Sequence, residues 1–310
     1  MTMMALHPPL LSLALCPWTS TEPTGKSERV PTTKATGKAR PGARLHAADG
    51  GRCESGCGRI GFVDVDAYLS RIGLSGGITP CLDDLERLQR AHLTCVPFEN
   101  LDVFYRRGVH TGVEWSVPKI VDTGRGGWCY ELNGAFAVLL EALGFAVKRL
   151  GATVLLGQES PTPDHLTIEV TLDRPFLVDV GFGDSFIRPL TLDSDGPQDG
   201  GVGKYGFVFD GDDTTLIAYG PDHSDEPQYR FDPNPYVTSD FDRSSQRLQT
   251  EPGLHWTEGP FATRLLDGGP DRVTLLPNRI KFRRDGEWTE EMVAHEDWPA
   301  TLHRWFHLTP

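Results

Sequence analysis

The sequence predicts an α+β protein with an α-helical start, a β-rich middle and a small mixed end. Three observations carry this. Apolar residues recur at helical spacing through about residue 143. Short runs broken by Gly, Asp and Pro follow. A late hairpin and one further helical pattern close the chain. Helices grouped ahead of strands, rather than alternating with them, argue against a doubly wound sheet.

The first helix is Asp64–Ile72, with apolar residues at 65, 68, 69 and 72 and Gly73 as its stop. Thr79-Pro80 opens the second, with apolar positions 82, 85, 88 and 93, and it ends before Pro97. The third runs from Cys129 to Leu143 and is apolar nearly all round from Ala135, which places it at a domain centre. Strands are expected at Val147–Leu156, His165–Leu172, Phe176–Val180, Tyr205–Phe209 and Thr214–Ala218. Val273–Leu276 and Arg279–Arg284 read as a hairpin across Pro277-Asn278, and Pro299–Phe306 as the last helix.

With 310 residues, 38% of them hydrophobic, and 15 Phe, 7 Trp and 7 Tyr, the chain can bury a full core. The formal charge is −13. Residues 1–58 carry +3 of it, so the rest stands at −16, which opposes binding along a nucleic-acid backbone. No run approaches the ~18 apolar residues of a membrane helix. Residues 1–58 are rich in Ser, Thr, Pro and Gly without a period, and read as a disordered or spurious N-terminal extension. The apolar stretch Leu10–Cys16 is short, follows two prolines and has no Lys or Arg before it, so it is a poor signal peptide. The cytoplasm is the expected location.

Six cysteines are too few for a disulfide scaffold. Cys53 and Cys57 lack a second zinc-spaced pair, and His303 and His307 lack a third ligand, so no metal site is expected. The run Gly201–Gly206 fits GxGxxG without the strand and helix that fingerprint needs, and reads as a loop.

Chemistry concentrates on three residues. Cys129 starts the buried helix after Arg125-Gly126-Gly127-Trp128, where unpaired amides and the helix dipole favour a thiolate. An inert core cysteine is the alternative reading. His165 opens an alternating strand, and alone it reads as a histidine satisfied by backbone. Asp179 lies between Val178 and Val180 in a strand that should be buried, and a buried carboxylate needs a partner. A turn at Asp173-Arg174 puts His165 and Asp179 near opposite ends of one hairpin. A nucleophile, a base and an orienting carboxylate together make a papain-like layout.

Val96-Pro97-Phe98-Glu99-Asn100-Leu101-Asp102, followed by Arg125-Gly126-Gly127-Trp128-Cys129-Tyr130-Glu131-Leu132-Asn133, strongly resembles the arylamine N-acetyltransferases. The resemblance runs from about residue 62 to the C-terminus and weakens beyond about 195. It implies a helical bundle over 59–146 carrying the nucleophile, a β-barrel over 147–245 carrying His and Asp, and an interdomain segment with an α/β lid over 246–310. It also implies a Cys129-His165-Asp179 triad that moves acetyl from acetyl-CoA, through an acetyl-cysteine, to an arylamine or hydrazine in xenobiotic metabolism. Phe98 and Gly181-Phe182-Gly183 match residues lining that family's pocket, and Glu99 and Arg125 match a salt bridge bracing the catalytic loop. CoA's pyrophosphate would be sought at Ser160–Asp164, although Asp164 has the wrong sign. Two other readings stay open: an amide synthase of the same superfamily that closes a macrolactam from a carrier-bound acyl chain, and a cysteine hydrolase.

Overall fold

The structure is a computed structural model that describes residues 59–60, 63–157, 159–220, 224–266 and 269–310. The extension read at 1–58 lies outside the described residues.

A two-strand ribbon, β1 (Arg59–Ile60) with β2 (Val63–Asp64), leads into α1 (Val65–Arg71). Asp64 caps α1 by accepting from the Ala67 amide at 3.0 Å, and Gly73 follows at φ 73°. α2 (Leu82–Cys95) buries Leu85, Leu88 and Leu93, and with them two polar residues, Gln89 and His92. β3 (Phe98–Glu99), α3 (Leu101–Phe104) and α4 (Val113–Val121) fill a stretch where the sequence pattern shows no element. β3 and α3 are too short to show a period, and Pro118 sits inside α4. α5 (Cys129–Ala142) is the centre of the molecule. Every residue from Cys129 to Ala137 is buried, the polar Glu131 and Asn133 included.

Eight antiparallel strands come next: β4 (Ala146–Val154), β5 (His165–Thr171), β6 (Pro175–Val178), β7 (Leu190–Thr191), β8 (Gln198–Asp199), β9 (Lys204–Asp210), β10 (Asp213–Tyr219) and β11 (Glu226–Pro235). Their order is β7-β6-β5-β4-β11-β10-β9-β8. The sheet curls until its two edges meet, which makes a nearly closed barrel. A side chain spans the seam: the Gln198 amide accepts from the Thr191 N–H at 2.7 Å and donates to the Thr191 carbonyl at 2.8 Å. The interior holds Leu150, Leu177, Leu216, Tyr229 and Phe231. Lys204–Asp210 is strand, so the loop reading of 201–206 holds only up to residue 203.

The chain then forms α6 (Asp242–Thr250), α7 (His255–Glu258), β12 (Ala262–Leu265), β13 (Arg272–Leu276), β14 (Arg279–Arg284), β15 (Glu287–Met292) and α8 (Trp298–Phe306). Leu276 pairs with Arg279, so the hairpin does turn at Pro277-Asn278. Trp298, Leu302 and Phe306 of α8 pack on Val273, Ile280 and Phe282. The five-stranded sheet runs β15-β14-β13-β12-β3. Its last member comes from the helical part of the chain: Glu99 pairs with Ala262 and Phe98 with Thr263. This C-terminal sheet is therefore stitched to the segment before Cys129. Among the described residues, no helix is long and apolar enough to cross a membrane.

Candidate active site

The approach to Cys129 is set by glycine. A side chain on Gly126 would collide with the Pro97 carbonyl, and one on Gly127 would lie 2.5 Å from the Glu131 carboxylate. The turn delivers Cys129 to the first position of α5. Glu131 accepts from the Trp128 amide at 3.2 Å and caps the helix. Cys129 is buried, and its sulfur lies 3.9 Å from the Asp164 carbonyl oxygen.

His165 begins β5 and Asp179 follows the end of β6. Because Ile168 pairs with Val178, both sit at the open end of the hairpin, not at opposite ends of it. His165 Nε2 lies 2.7 Å from Asp179 Oδ2, and Cys129 acts electrostatically on the same ring. With Nε2 taken by the carboxylate, Nδ1 is the nitrogen left for sulfur. The rings of Phe182 and Tyr229 each lie 5.0 Å from the imidazole.

The Asp179 carboxylate is saturated. Tyr229 Oη donates to Oδ2 at 3.1 Å, while Asn133 Nδ2 and the Gly181 amide each donate to Oδ1 at 2.8 Å. Gln89 Nε2 holds the Asp179 carbonyl at 3.2 Å from α2. Burial would raise the carboxyl, but the His165 charge and these donors hold it below the usual carboxylate range. Burial likewise works against a charged imidazole, and Asp179, with a smaller contribution from Cys129, overcomes it and raises His165.

A second buried cluster braces the loop before Cys129. Arg125 donates Nε and Nη2 to Glu99 Oε1 at 3.0 and 2.7 Å and reaches Asp102 at 3.1 Å. Lys119 lies 2.7 Å from both Asp102 and Glu131. The Glu99 side chain is 0% exposed and that of Arg125 16%, so this is a buried pair rather than a surface one.

A cavity of about 400 Å³ opens over Cys129 and His165. Phe98, Phe182, Trp256, Phe261 and Leu276 form much of its wall, and Gly181 lies at the back. A side chain on Gly181 would stand 2.8 Å from the Cys129 Cα. Gly183 is not on the wall; it turns the chain at φ 92° behind it. Arg279 and Lys281 of β14 also line the cavity. The loop Ser160–Asp164 offers no comparable cation site. Ser160 is held by Arg247 at 2.8 Å, and Ser244 fastens Thr162 and Pro163 at 3.0 and 2.6 Å. Among the described residues, no group of three or more His, Cys, Asp or Glu could hold a metal.

Sequence reasoning missed Asn133, Tyr229 and Gln89, while His255 and Trp256, read as pocket or surface residues, both line the cavity. Asn133 carried a signal, since it follows Cys129 by one helical turn and is a buried amide in an apolar helix. Tyr229 did not, because β11 is broken up by Pro227, Pro233 and Pro235.

The N-acetyltransferase family model matches residues 81–309. The arylamine N-acetyltransferase of Mycolicibacterium smegmatis is 36% identical over 233 residues, 72% of this chain and 84% of that one. This chain belongs to the arylamine N-acetyltransferase family. The Escherichia coli K12 arylamine N-acetyltransferase is 33% identical over 72% of this chain and 80% of its own length. Among solved structures, the Mycobacterium marinum arylamine N-acetyltransferase superposes with a TM-score of 0.72 at 31% identity, over 79% of this chain and 92% of that one. The same enzyme in complex with CoA gives 0.71 at 32% identity, over 79% and 92%. Arylamine N-acetyltransferases are acyltransferases, and this chain is an enzyme of that class.

Proposed function

We propose that this enzyme transfers acetyl from acetyl-CoA to an arylamine or hydrazine by a ping-pong mechanism, with Cys129, His165 and Asp179 as its catalytic triad. The observation that carries this is the position of His165, between the Cys129 thiol and a fully hydrogen-bonded Asp179, at a cavity of about 400 Å³. That size suits an acetyl thioester and one aryl ring.

His165 takes the thiol proton, and the Cys129 sulfur attacks the thioester carbonyl. The amides at the start of α5 stabilise the developing oxyanion. The carbon–sulfur bond to CoA breaks, CoA leaves with the proton from His165, and acetyl-Cys129 remains. An amine nitrogen then attacks the acetyl carbon, its proton passes to His165, and the Cys129 thiol is regenerated. Asp179 fixes the ring and balances its charge throughout. Arg279 and Lys281, which line the cavity, supply positive charge for the CoA phosphates. Phe98, Gly181 and Phe182 shape the acyl and amine pocket, Gly183 sets the turn behind it, and Glu99 with Arg125 braces the loop.

Intact-mass measurement with acetyl-CoA and no acceptor tests this. One acetyl group on the Cys129 peptide, discharged by an arylamine or a hydrazide, is expected; a Cys129→Ala protein that still turns over would refute the mechanism. Loading only by a longer, carrier-bound acyl chain would identify an amide synthase instead. Rapid discharge to water without amine would identify a hydrolase.

A further inference from the structure

One charged group on the cavity wall has no part in that mechanism. Asp164 directly precedes His165, its carbonyl oxygen lies 3.9 Å from the Cys129 sulfur, and it is one of the residues that line the cavity, with its side chain 11% exposed. Oδ1 is fixed, since it accepts from the Val154 amide at 2.9 Å. Oδ2 faces Arg247 at 3.7 Å, and that guanidinium also donates to Ser160 at 2.8 Å and Glu251 at 3.1 Å. Burial pushes the carboxyl above its usual range, while the Val154 N–H, His165 and Arg247 pull it down. The carboxylate is therefore anchored beside the chemistry by the Val154 amide, with Arg247 as its counter-charge.

The other charges are placed differently. Arg279 and Lys281 enter the cavity from β14, in the C-terminal sheet, and Glu258 from α7, where it is exposed. Lys281 also stacks on Trp288 at 5.3 Å. The end nearest the nucleophile thus carries an anion in largely aromatic surroundings, where field effects are least screened.

We infer that Asp164 is a specificity-determining residue for the amine acceptor, favouring neutral or cationic acceptors and disfavouring those that carry a carboxylate. This rests on the ping-pong reading above. A ring carboxylate meets the like charge of Asp164 in a cavity walled mainly by aromatic and aliphatic side chains.

The test compares kcat/KM for 4-aminobenzamide and 4-aminobenzoate, which differ in charge with little change in shape. Taking the ratio within each protein cancels any general loss of rate. Wild type is expected to favour the amide by about tenfold or more. Asp164→Asn keeps an acceptor for the Val154 N–H and removes the charge, and the ratio should fall at least about fivefold. Arg247→Gln removes the outward counter-charge, and the ratio should rise; this variant decides the matter if Asp164→Asn does not fold. A wild-type ratio near one, or a ratio that Arg247→Gln lowers or leaves unmoved, overturns the inference. Acetyl loading of wild-type Cys129 is read separately. If loading fails, the ping-pong reading falls and takes this inference with it; if loading succeeds and the ratios stay fixed, this inference falls alone.

Discussion

Asp179 is the residue on which the site's electrostatics converge. A carboxylate out of water persists as an anion only where donors replace its hydration, and four do so here, from α5, β5, β11 and the chain just beyond Asp179 itself. These donors are not equivalent. Tyr229→Phe removes one hydrogen bond to a charged group and leaves the ring packing, so kcat/KM should drop about tenfold or somewhat more, with the fold retained. Asn133→Ala strands three partners at once: the Leu166 carbonyl, Asp179 Oδ1 and the Val180 amide. It should cost about 3 kcal/mol or more in stability, read by chemical denaturation, as well as activity. If Asn133→Ala proves no less stable than Tyr229→Phe, the weight given to this amide is wrong. Gly181→Ala should be more damaging to activity than its single methyl suggests. Its Cβ would press on the Cys129 backbone, which cannot step aside without moving the nucleophile.

At the scale of elements, α5 has a cost built into its start. Glu99, Asp102 and Glu131 share Lys119 and Arg125, so a buried cluster holds three carboxylates against two close cations. Burial pushes Glu131 up to about 7 against the pull of Lys119, and the Glu99 charge adds to the rise. The folded state therefore holds this proton more tightly than the unfolded chain, whose Glu titrates near 4.5. Stability should fall as pH climbs from about 4.5 to 7, because only the unfolded state releases the proton freely there. Glu131→Gln keeps an acceptor for the Trp128 amide and removes the penalty. Its stability relative to wild type should rise with pH across that window, by up to about 3 kcal/mol, and a difference that stays flat from pH 5 to 8 would contradict the account. The Glu99–Arg125 pair was named from the resemblance, but the parts of Asp102, Lys119 and Glu131 were not readable in the sequence, because the cluster joins β3, α3, α4 and α5, and three of these lack a readable period. What was readable had strong local signals. α5 is apolar nearly all round from Ala135 after a Gly-Gly turn, β5 alternates, and the chain around Asp179 sets a carboxylate among valines. β11 failed for the opposite reason: its prolines mark it as a poor strand, and it persists because β4 and β10 hold it on both sides.

At the scale of the molecule, the C-terminal sheet is fastened to the barrel at the edge of the site. Asp184 follows Gly183 and receives Arg272 at 3.0 Å and Arg283 at 3.2 Å, both from the C-terminal sheet. The Arg272 side chain is 2% exposed, and burial lowers its hold on the proton, an effect that Asp184 offsets only in part. One carboxylate thus ties β13 and β14 to the loop that carries Gly181 and Phe182 into the cavity wall. Asp184→Asn would leave a buried guanidinium without its counter-charge, at a cost of about 3–5 kcal/mol. The matched control is Asp193→Asn, which breaks a pair with Arg174 whose side chains are 45% and 52% exposed and should cost about 1 kcal/mol or less. Position predicts a kinetic difference as well. Arg279 and Lys281 stand on the same β14 as Arg283, so loosening that strand should raise KM for acetyl-CoA more than it lowers kcat. Equal stability losses in the two variants, or a lowered kcat at unchanged KM in Asp184→Asn, would show that the tie holds the fold without placing the cations that line the cavity.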